Sequence, residues 1–249
     1  MQYRASFIVS ALGQFIVTGV EALGIWALFN RFGHLSDWTL PQVAFFYGLV
    51  NVAFAFADAL SRGFDKFGSE FVKTGNFDRL LVRPRSSFLQ LAGHEFTLYR
   101  AGRLLQGLIV LGWAIAMLDI SWSWDRLLVL NFALLSCIAF FVALVVIQAT
   151  ISFWTTESLE IINTLTYGGV ETAQYPLAVY KEGFVRFFTW VIPLGCVTYF
   201  PGVYVMGAED PLGTTRLFQA LAPFAGLVFF ATAAAFWTLG TRRYTSTGS

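Results

Sequence analysis

The sequence predicts an all-α integral membrane protein with six transmembrane helices and a short cytoplasmic helix between the second and the third. Hydrophobic residues make up 57% of the chain, charged residues only 12%, and the mean hydropathy is +0.65. A soluble domain carries more charge, about 25%. The apolar residues form continuous runs instead of alternating, which favours helices, since a helix needs about 20 apolar residues to cross a bilayer. The 249 residues are therefore predicted to form a single transmembrane domain.

The predicted spans are six apolar runs, which lie at 5–30, 40–60, 102–118, 127–153, 184–206 and 217–239. The first run follows Arg4 and is longer than the apolar core of a secretory signal, about 7 to 15 residues, so we expect it to be a retained span. The connections at 34–37, 121–125 and 208–215 are short, whereas those at 62–100 and 154–183 are long. Both long connections fall on the same side of the membrane.

The fifth run contains several residues that interrupt helices. These breakers are Pro193, Gly195, Pro201, Gly202, Gly207 and Pro211. Proline removes a backbone hydrogen bond, but neighbouring membrane helices can satisfy the freed groups. Two arrangements fit the pattern: a kinked span followed by a re-entrant turn at the outer side, and a single kinked helix followed by a loop.

The distribution of positive charge indicates which side is cytoplasmic. If both termini are inside, all but three of the sixteen Lys and Arg residues lie on the cytoplasmic side, the exceptions being Arg31, Arg126 and Arg216. Such a bias is the rule for cytoplasmic segments of membrane proteins. The net charge of +1 gives no indication of nucleic-acid binding, and none is expected.

Motifs for chemistry within this chain are missing from the sequence. None of the three lysines belongs to a G-x-x-x-x-G-K-[ST] phosphate loop, and His94-Glu95 lacks the second histidine of a zinc-protease helix. Cys137 and Cys196 both fall in predicted spans, where cysteine usually serves as a small apolar residue. We therefore expect no catalytic residues, no metal and no cofactor in this chain, which also leaves an intramembrane enzyme without support.

Two acidic residues, Glu21 and Asp58, fall inside predicted spans. A carboxylate in the bilayer is costly and often functional. Asp58 precedes Arg62 by four residues, a spacing that predicts an ion pair on one helix face. Glu21 has no partner nearby in sequence and could line a substrate path, cap a neighbouring helix or reach the outer interface. An ion-coupled secondary transporter that uses Glu21 or Asp58 is the alternative function.

The connection after the second span contains a basic amphipathic segment at 74–84. Phe77, Leu80 and Leu81 are spaced at i, i+3 and i+4, which predicts a short helix with these residues on one face and Asp78, Arg79 and Arg83 elsewhere. Gly75 and Asn76 suit its start, with Asn76 as N-cap, and Pro84 its end. Such a segment suits either a cytoplasmic partner or, alternatively, the anionic lipid surface.

The same segment resembles a known family pattern. The run Gly75-Asn76-Phe77-Asp78-Arg79-Leu80-Leu81-Val82-Arg83-Pro84 is similar to the G-x-x-D-x-x-L-x-R-P pattern in the first cytoplasmic loop of bacterial ABC-2-type exporter permeases. The resemblance extends over nearly the whole chain. It continues through Tyr175-Pro176, Ile192-Pro193, Tyr199-Phe200-Pro201 and Arg242-Arg243-Tyr244 with the Ser/Thr/Gly tail that follows.

The resemblance implies a function and a set of partners. Permeases of this class have six spans, lie in the bacterial inner membrane with both termini cytoplasmic, and form an ATP-driven exporter with a second permease, identical or related, and two ATPase subunits. Mg-ATP then binds to the separate ATPase and not to this chain. The first-loop coupling helix docks in a groove of the ATPase. By this resemblance Phe77, Leu80 and Leu81 would enter the groove and Asp78, Arg79 and Arg83 would form polar contacts around it, with Pro84 at the end of the coupling segment.

Overall fold

A computed structural model describes residues 2–94, 101–155 and 160–245, with the backbone alone described at 2–7 and 160–163. Two predicted segments extend beyond the described residues. Positions 95–100 of the predicted 62–100 connection are not described, and neither are positions 246–249 of the C-terminal Ser/Thr/Gly tail. Every regular element in the described ranges is helical, apart from an isolated bridge between Leu35 and Trp38.

Twelve α-helices make up the described part of the chain. They are α1 Gln2–Phe32, α2 Leu40–Asp65, α3 Phe77–Leu81, α4 Ser87–Ala92, α5 Ala101–Met117, α6 Trp124–Thr155, α7 Glu160–Ala173, α8 Glu182–Trp190, α9 Leu194–Val197, α10 Tyr199–Met206, α11 Arg216–Leu221 and α12 Phe224–Arg243. A π-helical turn at Phe67–Val72 extends α2, and a 3-10 turn at Leu177–Val179 follows α7.

The described ranges contain fewer than six helices that meet the length and apolarity of a membrane span, so the prediction of six spans is confirmed only in part. Four helical segments in the described ranges are long and apolar enough: Ile8–Phe32, Leu40–Val72, Trp124–Thr155 and Arg216–Arg243. A fifth span exists if α8 and α9–α10 are counted as one broken element, since they meet at an angle of 71°. The described part of α5 is apolar and 17 residues long, or about 25 Å, which approaches the 30 Å of a hydrocarbon layer.

Two predicted boundaries differ from the structure. The second span does not end at residue 60, because α2 and its π-helical turn continue to Val72. The predicted connection at 154–183 contains the 14-residue helix α7, so it is not a simple loop. In both places charged and polar residues lower the local hydropathy but do not prevent a helix. The hydrogen bonds of a helix join its own backbone groups and so do not depend on how apolar its side chains are.

Helix α2 lies at the centre of the bundle. It packs against α5 on one side and α6 on another, and most of its apolar segment is buried, whereas α1 is largely exposed and contacts the bundle mainly through α5. Helix α12 packs against α6 at the opposite flank. At the start of α5, Gly102 lies so close to α1 that an added Cβ would fall 1.9 Å from the backbone oxygen of Ala11. This contact fixes where α1 crosses α5.

The broken span leads into the connection that the sequence analysis places on the outer side, and one carboxylate holds this connection in place. Asp210 accepts a hydrogen bond from the Tyr199 hydroxyl at 2.6 Å and from the backbone N–H groups of Leu212 and Thr214 at 3.0 and 3.1 Å. The Tyr199 ring in turn stacks on Phe46 and meets Trp38 edge-on. The interruption that the sequence predicts at Pro193 is therefore present, and an aromatic cluster supports the segment after it.

Candidate functional site

The segment between α2 and α3 is a tight connection that sets the direction of α3. Gly75 has a φ of +68°, a left-handed conformation that glycine adopts without strain. Asn76 does not cap α3 as predicted, because its own backbone is helical and no side-chain cap is formed. Its amide instead donates to the Glu70 carbonyl at 3.2 Å and to the Thr74 hydroxyl at 2.8 Å. These nearby acceptors hold the side chain against the π-helical turn.

Helix α3 is confirmed at Phe77–Leu81, but its apolar side chains do not share one environment. Phe77 is fully buried and Leu80 nearly so, whereas Leu81 is 47% exposed and the following Val82 is 83% exposed. The three apolar residues that the sequence placed together on a partner-facing side are thus divided, with Phe77 and Leu80 turned toward the chain itself. The cause is that α3 lies against a group of aromatic rings that occupies this side.

The rings around Phe77 come from distant parts of the chain. Its centroid lies 5.1 Å from Phe67, 5.3 Å from Phe153 and 5.0 Å from Tyr244, all in edge-to-face geometry, and 6.2 Å from Trp237. Edge-to-face contacts at this spacing are attractive beyond the burial they provide. We refer to Phe67, Phe77, Phe153, Trp237 and Tyr244 as the inner aromatic cluster. It joins the π-helical turn, α3, the end of α6 and the end of α12.

The other side of α3 and the residues after it form an exposed surface that is both basic and apolar. We call it the loop surface, and it consists of Arg79, Leu81, Val82, Arg83, Pro84 and Arg85. Two depressions of about 460 and 550 Å³ flank Arg83, and the Leu80 side chain contributes to both. Asp78, in the first turn of α3, is half-buried. The loop surface therefore presents three guanidinium groups around an apolar ridge of Leu81 and Val82.

A second group of polar residues lies inside the helical bundle. The Tyr47 hydroxyl donates to the Thr18 carbonyl at 2.7 Å and accepts from the Gln106 amide at 3.2 Å. Arg103 is buried, donates from Nε to the Asn51 side chain at 2.8 Å, and holds its guanidinium 5.0 Å from the ring centre of Phe54. These bonds connect α1, α2 and α5 at a depth where unpaired polar groups are costly.

Glu21 lies beside this group. One of its carboxylate oxygens, Oε2, is buried without a hydrogen-bond partner among the described residues. The negative charge of Glu21 acts on Tyr47 and repels that of Glu171 on α7, whereas the positive charge of Arg103 attracts Glu171. Glu171 was missed from the sequence because it fell in a predicted connection. Thr164, Gly168 and Glu171 are exposed and lie at i, i+4 and i+7, on one face of α7. This helical spacing could have identified the face from the sequence.

The predicted pair between Asp58 and Arg62 is wrong. Arg62 instead places Nη1 3.3 Å from Oδ2 of Asp65, which follows it by three residues, whereas the predicted partner Asp58 precedes it by four. Both i,i+3 and i,i+4 positions neighbour Arg62 on the helix surface, so the spacing alone does not select between them. Asp58 is half-buried near Ser61 and Tyr167. Within the described ranges, no group of three or more His, Cys, Asp or Glu residues could hold a metal ion.

Comparison with known proteins bears on the whole chain. A family model described as ABC-2 family transporter protein matches residues 15–248. The match includes the loop surface, the inner aromatic cluster and the polar group around Tyr47. No curated protein and no solved structure matches the chain.

Proposed function

Because the chain belongs to the ABC-2 transporter family and is a multi-pass membrane permease of ABC type, we propose that it forms an ATP-driven exporter with a second permease and two separate ATPase subunits. Mg-ATP is bound and hydrolysed on the ATPase. The chain itself supplies the membrane pathway and the surface that the ATPase moves. The bias of Lys and Arg toward one side supports an orientation with both termini in the cytoplasm. The resemblance to bacterial permeases supports a location in the bacterial inner membrane.

The observation that carries this proposal is the exposure of the loop surface. Val82 and Leu81 are exposed apolar side chains surrounded by arginines, on a connection that we propose to be cytoplasmic. An exposed apolar ridge with a polar rim is typical of a protein interaction site. The matching groove of the ATPase would have an apolar floor for the ridge and carboxylates at its edge for Arg79, Arg83 and Arg85. Attraction between these charges would speed the association of the two proteins.

Given how deeply each side chain is buried, we propose a different role for each residue of α3 from the one that the resemblance implies. Leu81 and Val82 enter the ATPase groove, and Arg79 and Arg83 bind at its rim. Phe77 and Leu80 do not reach the groove, because they anchor α3 to the bundle. Pro84 ends the segment, and Asp78 in the first turn favours the positive end of the helix. In this arrangement one side of α3 receives the movement of the ATPase and the other side passes it to the spans.

Co-purification with the ATPase encoded beside the gene tests the docking role. The double substitution Leu81→Asp/Val82→Asp removes the apolar ridge and places two carboxylates against an acidic rim, so affinity is expected to fall at least about a hundredfold, or roughly 3 kcal/mol. Both side chains are exposed, so folding is preserved. Pro211→Asp, exposed in the outer connection, serves as the control. Retention of the ATPase by the double variant would refute docking at this surface.

We further propose that Glu21 and Glu171 face the transport pathway. Helix α7 falls in a predicted connection but packs against α2 and α6, and a carboxylate beside the spans is stable against water or a polar partner, but not against lipid. Glu171 is exposed on α7 and its negative charge is repelled by that of Glu21, whose buried oxygen has no hydrogen-bond partner in the described part of the chain. No observation favours the alternative of an ion-coupled carrier.

The accessibility of position 171 tests this placement without knowledge of the substrate. A cysteine at Glu171 in the assembled transporter is expected to react with a charged, membrane-impermeant thiol reagent. A cysteine at Leu135, 63% exposed on the apolar surface of α6, is expected to stay unreacted. The native Cys137 and Cys196 are buried and give little background. Equal protection of both introduced cysteines would remove Glu171 from the pathway.

A further inference from the structure

Trp237 of α12 is the residue on which the inner aromatic cluster converges. Its indole is only 2% exposed. The ring centre lies 4.9 Å from Phe67 and 5.2 Å from Phe153, in addition to its contact with Phe77. Beyond the cluster it meets Phe64 of α2 at 5.2 Å. A single side chain of the last helix therefore contacts α2, its π-helical turn, α3 and α6.

The same indole is also connected to α4. Its Nε1–H donates to the Ser87 hydroxyl at 3.3 Å, and Phe88 lies 6.5 Å away from the ring centre. Helix α4 follows the loop surface directly, so both ends of that surface are held by Trp237: one through Phe77 and the other through Ser87. Displacement of the loop surface thus acts on this indole from two directions.

The position of α3 depends on these contacts, because a helix of five residues is not stable by itself. Helices α6 and α12 are close behind the cluster, since a Cβ on Gly240 would lie 2.7 Å from the Phe153 ring and 2.8 Å from the Thr150 methyl group. Tightly packed interiors have low compressibility and transmit displacement. Because little free space separates α3 from α12, a displacement of α3 is expected to displace α12 as well.

We propose that Trp237 is the positioning residue through which movement of α3 is passed to α12 and α6. The inference rests on the proposed docking of an ATPase at the loop surface and goes beyond it by assigning the route of transmission. Trp237 does not touch the ATPase in this arrangement. Its removal should therefore leave the ATPase bound and able to hydrolyse ATP while the outer ends of the spans no longer respond.

The experiment measures ATPase binding and span movement separately on the complex in lipid nanodiscs. Spin labels at Phe32→Cys and Leu217→Cys, which are 66% and 70% exposed at the ends of α1 and α11 far from α3, report one distance across the bundle. Labelled copies are diluted with unlabelled ones so that the distance is within one chain. In the otherwise unchanged protein, trapping with ATP and vanadate is expected to shift this distance.

The test substitution is Trp237→Leu, and the matched control is Trp154→Leu. Trp154 is also an indole at the inner end of a span, but it is 52% exposed and stacks on Phe236, away from α3. We expect Trp237→Leu to keep the ATPase and lose the vanadate-dependent shift, and Trp154→Leu to keep both. Trp237→Phe retains a ring without the N–H, so it should retain part of the shift.

Phe77→Leu provides a second variant if Trp237→Leu does not fold. It removes the α3 side of the same contact, so it should also abolish the shift, and the double variant should be no worse than either single one, since both act through one interaction. The inference is overturned by a full shift in a folded Trp237→Leu or Phe77→Leu complex, by no shift in the unchanged complex, or by loss of the ATPase from Trp237→Leu alone. Failure of the unchanged protein to bind an ATPase refutes the proposed function instead.

Discussion

Replacement of Gly102 with valine is expected to separate α1 from α5 and to cost about 3 kcal/mol of stability, the upper part of the range for overpacked sites. A Cβ at this position would lie 1.9 Å from the Ala11 carbonyl oxygen and 2.8 Å from the Phe15 backbone nitrogen. Both are backbone atoms, so no rotamer change relieves the clash and one helix must move. Since α1 is held mainly by α5, we expect it to lose its place in the bundle.

The measurement is the midpoint of thermal unfolding in detergent, followed by the fraction of monodisperse protein. Gly112→Val is the matched control, because it makes the same substitution in the same helix at a position with no atom within 4 Å of an added Cβ. The control accounts for the helix propensity of valine. Equal midpoints for the two variants would show that α1 does not cross α5 at Gly102.

Phe77→Ala is expected to destabilise the inner end of the bundle by about 3–5 kcal/mol, the usual cost of removing a buried phenylalanine. The side chain is fully buried, and its removal leaves a cavity between Phe67, Phe153 and Tyr244. Leu81→Ala, four residues further on the same helix but 47% exposed, should change stability by less than about 0.5 kcal/mol.

The stability of both variants is measured by unfolding in the same detergent. The difference between them distinguishes the divided arrangement of α3 in the structure from the single apolar face that the sequence predicts. If Phe77 and Leu81 formed one partner-facing side, as the spacing predicted, the two substitutions would have similar small effects on the isolated chain. A large difference supports the divided arrangement of α3. A small cost for Phe77→Ala would contradict the inner aromatic cluster.

The existence of α3 could be predicted from the sequence, but the direction of its apolar face could not. Gly75 and Pro84 bound the segment, and the i, i+3, i+4 spacing gives a helix at the place where the structure has one. A side that packs on its own chain and a side that binds a partner have the same periodicity. Only the approach of Phe153 and Trp237, which lie 76 and 160 residues further along, decides which side is inward.

The membrane region shows the same division between local and tertiary information. Hydropathy identified the long apolar helices, but α7 was missed because Glu160, Asn163 and Glu171 lower the apolar content of a segment that is nonetheless helical. The relation between Glu21 and Glu171 depends on how α1 and α7 approach α2, which no local spacing encodes. The ion pair of Arg62 was misassigned because two neighbouring acids compete for one arginine.

The most direct test of the central claim, that the loop surface docks a separate ATPase, is site-specific photocrosslinking from Val82 in the assembled complex. A photoreactive amino acid replaces Val82, which is 83% exposed, and in a parallel variant Leu128 of α6, which is 68% exposed. If the loop surface docks the ATPase, position 82 gives a product that contains the permease and the ATPase, and position 128 gives none. An intact complex that gives no such product from position 82 would show that the ATPase does not dock at the loop surface.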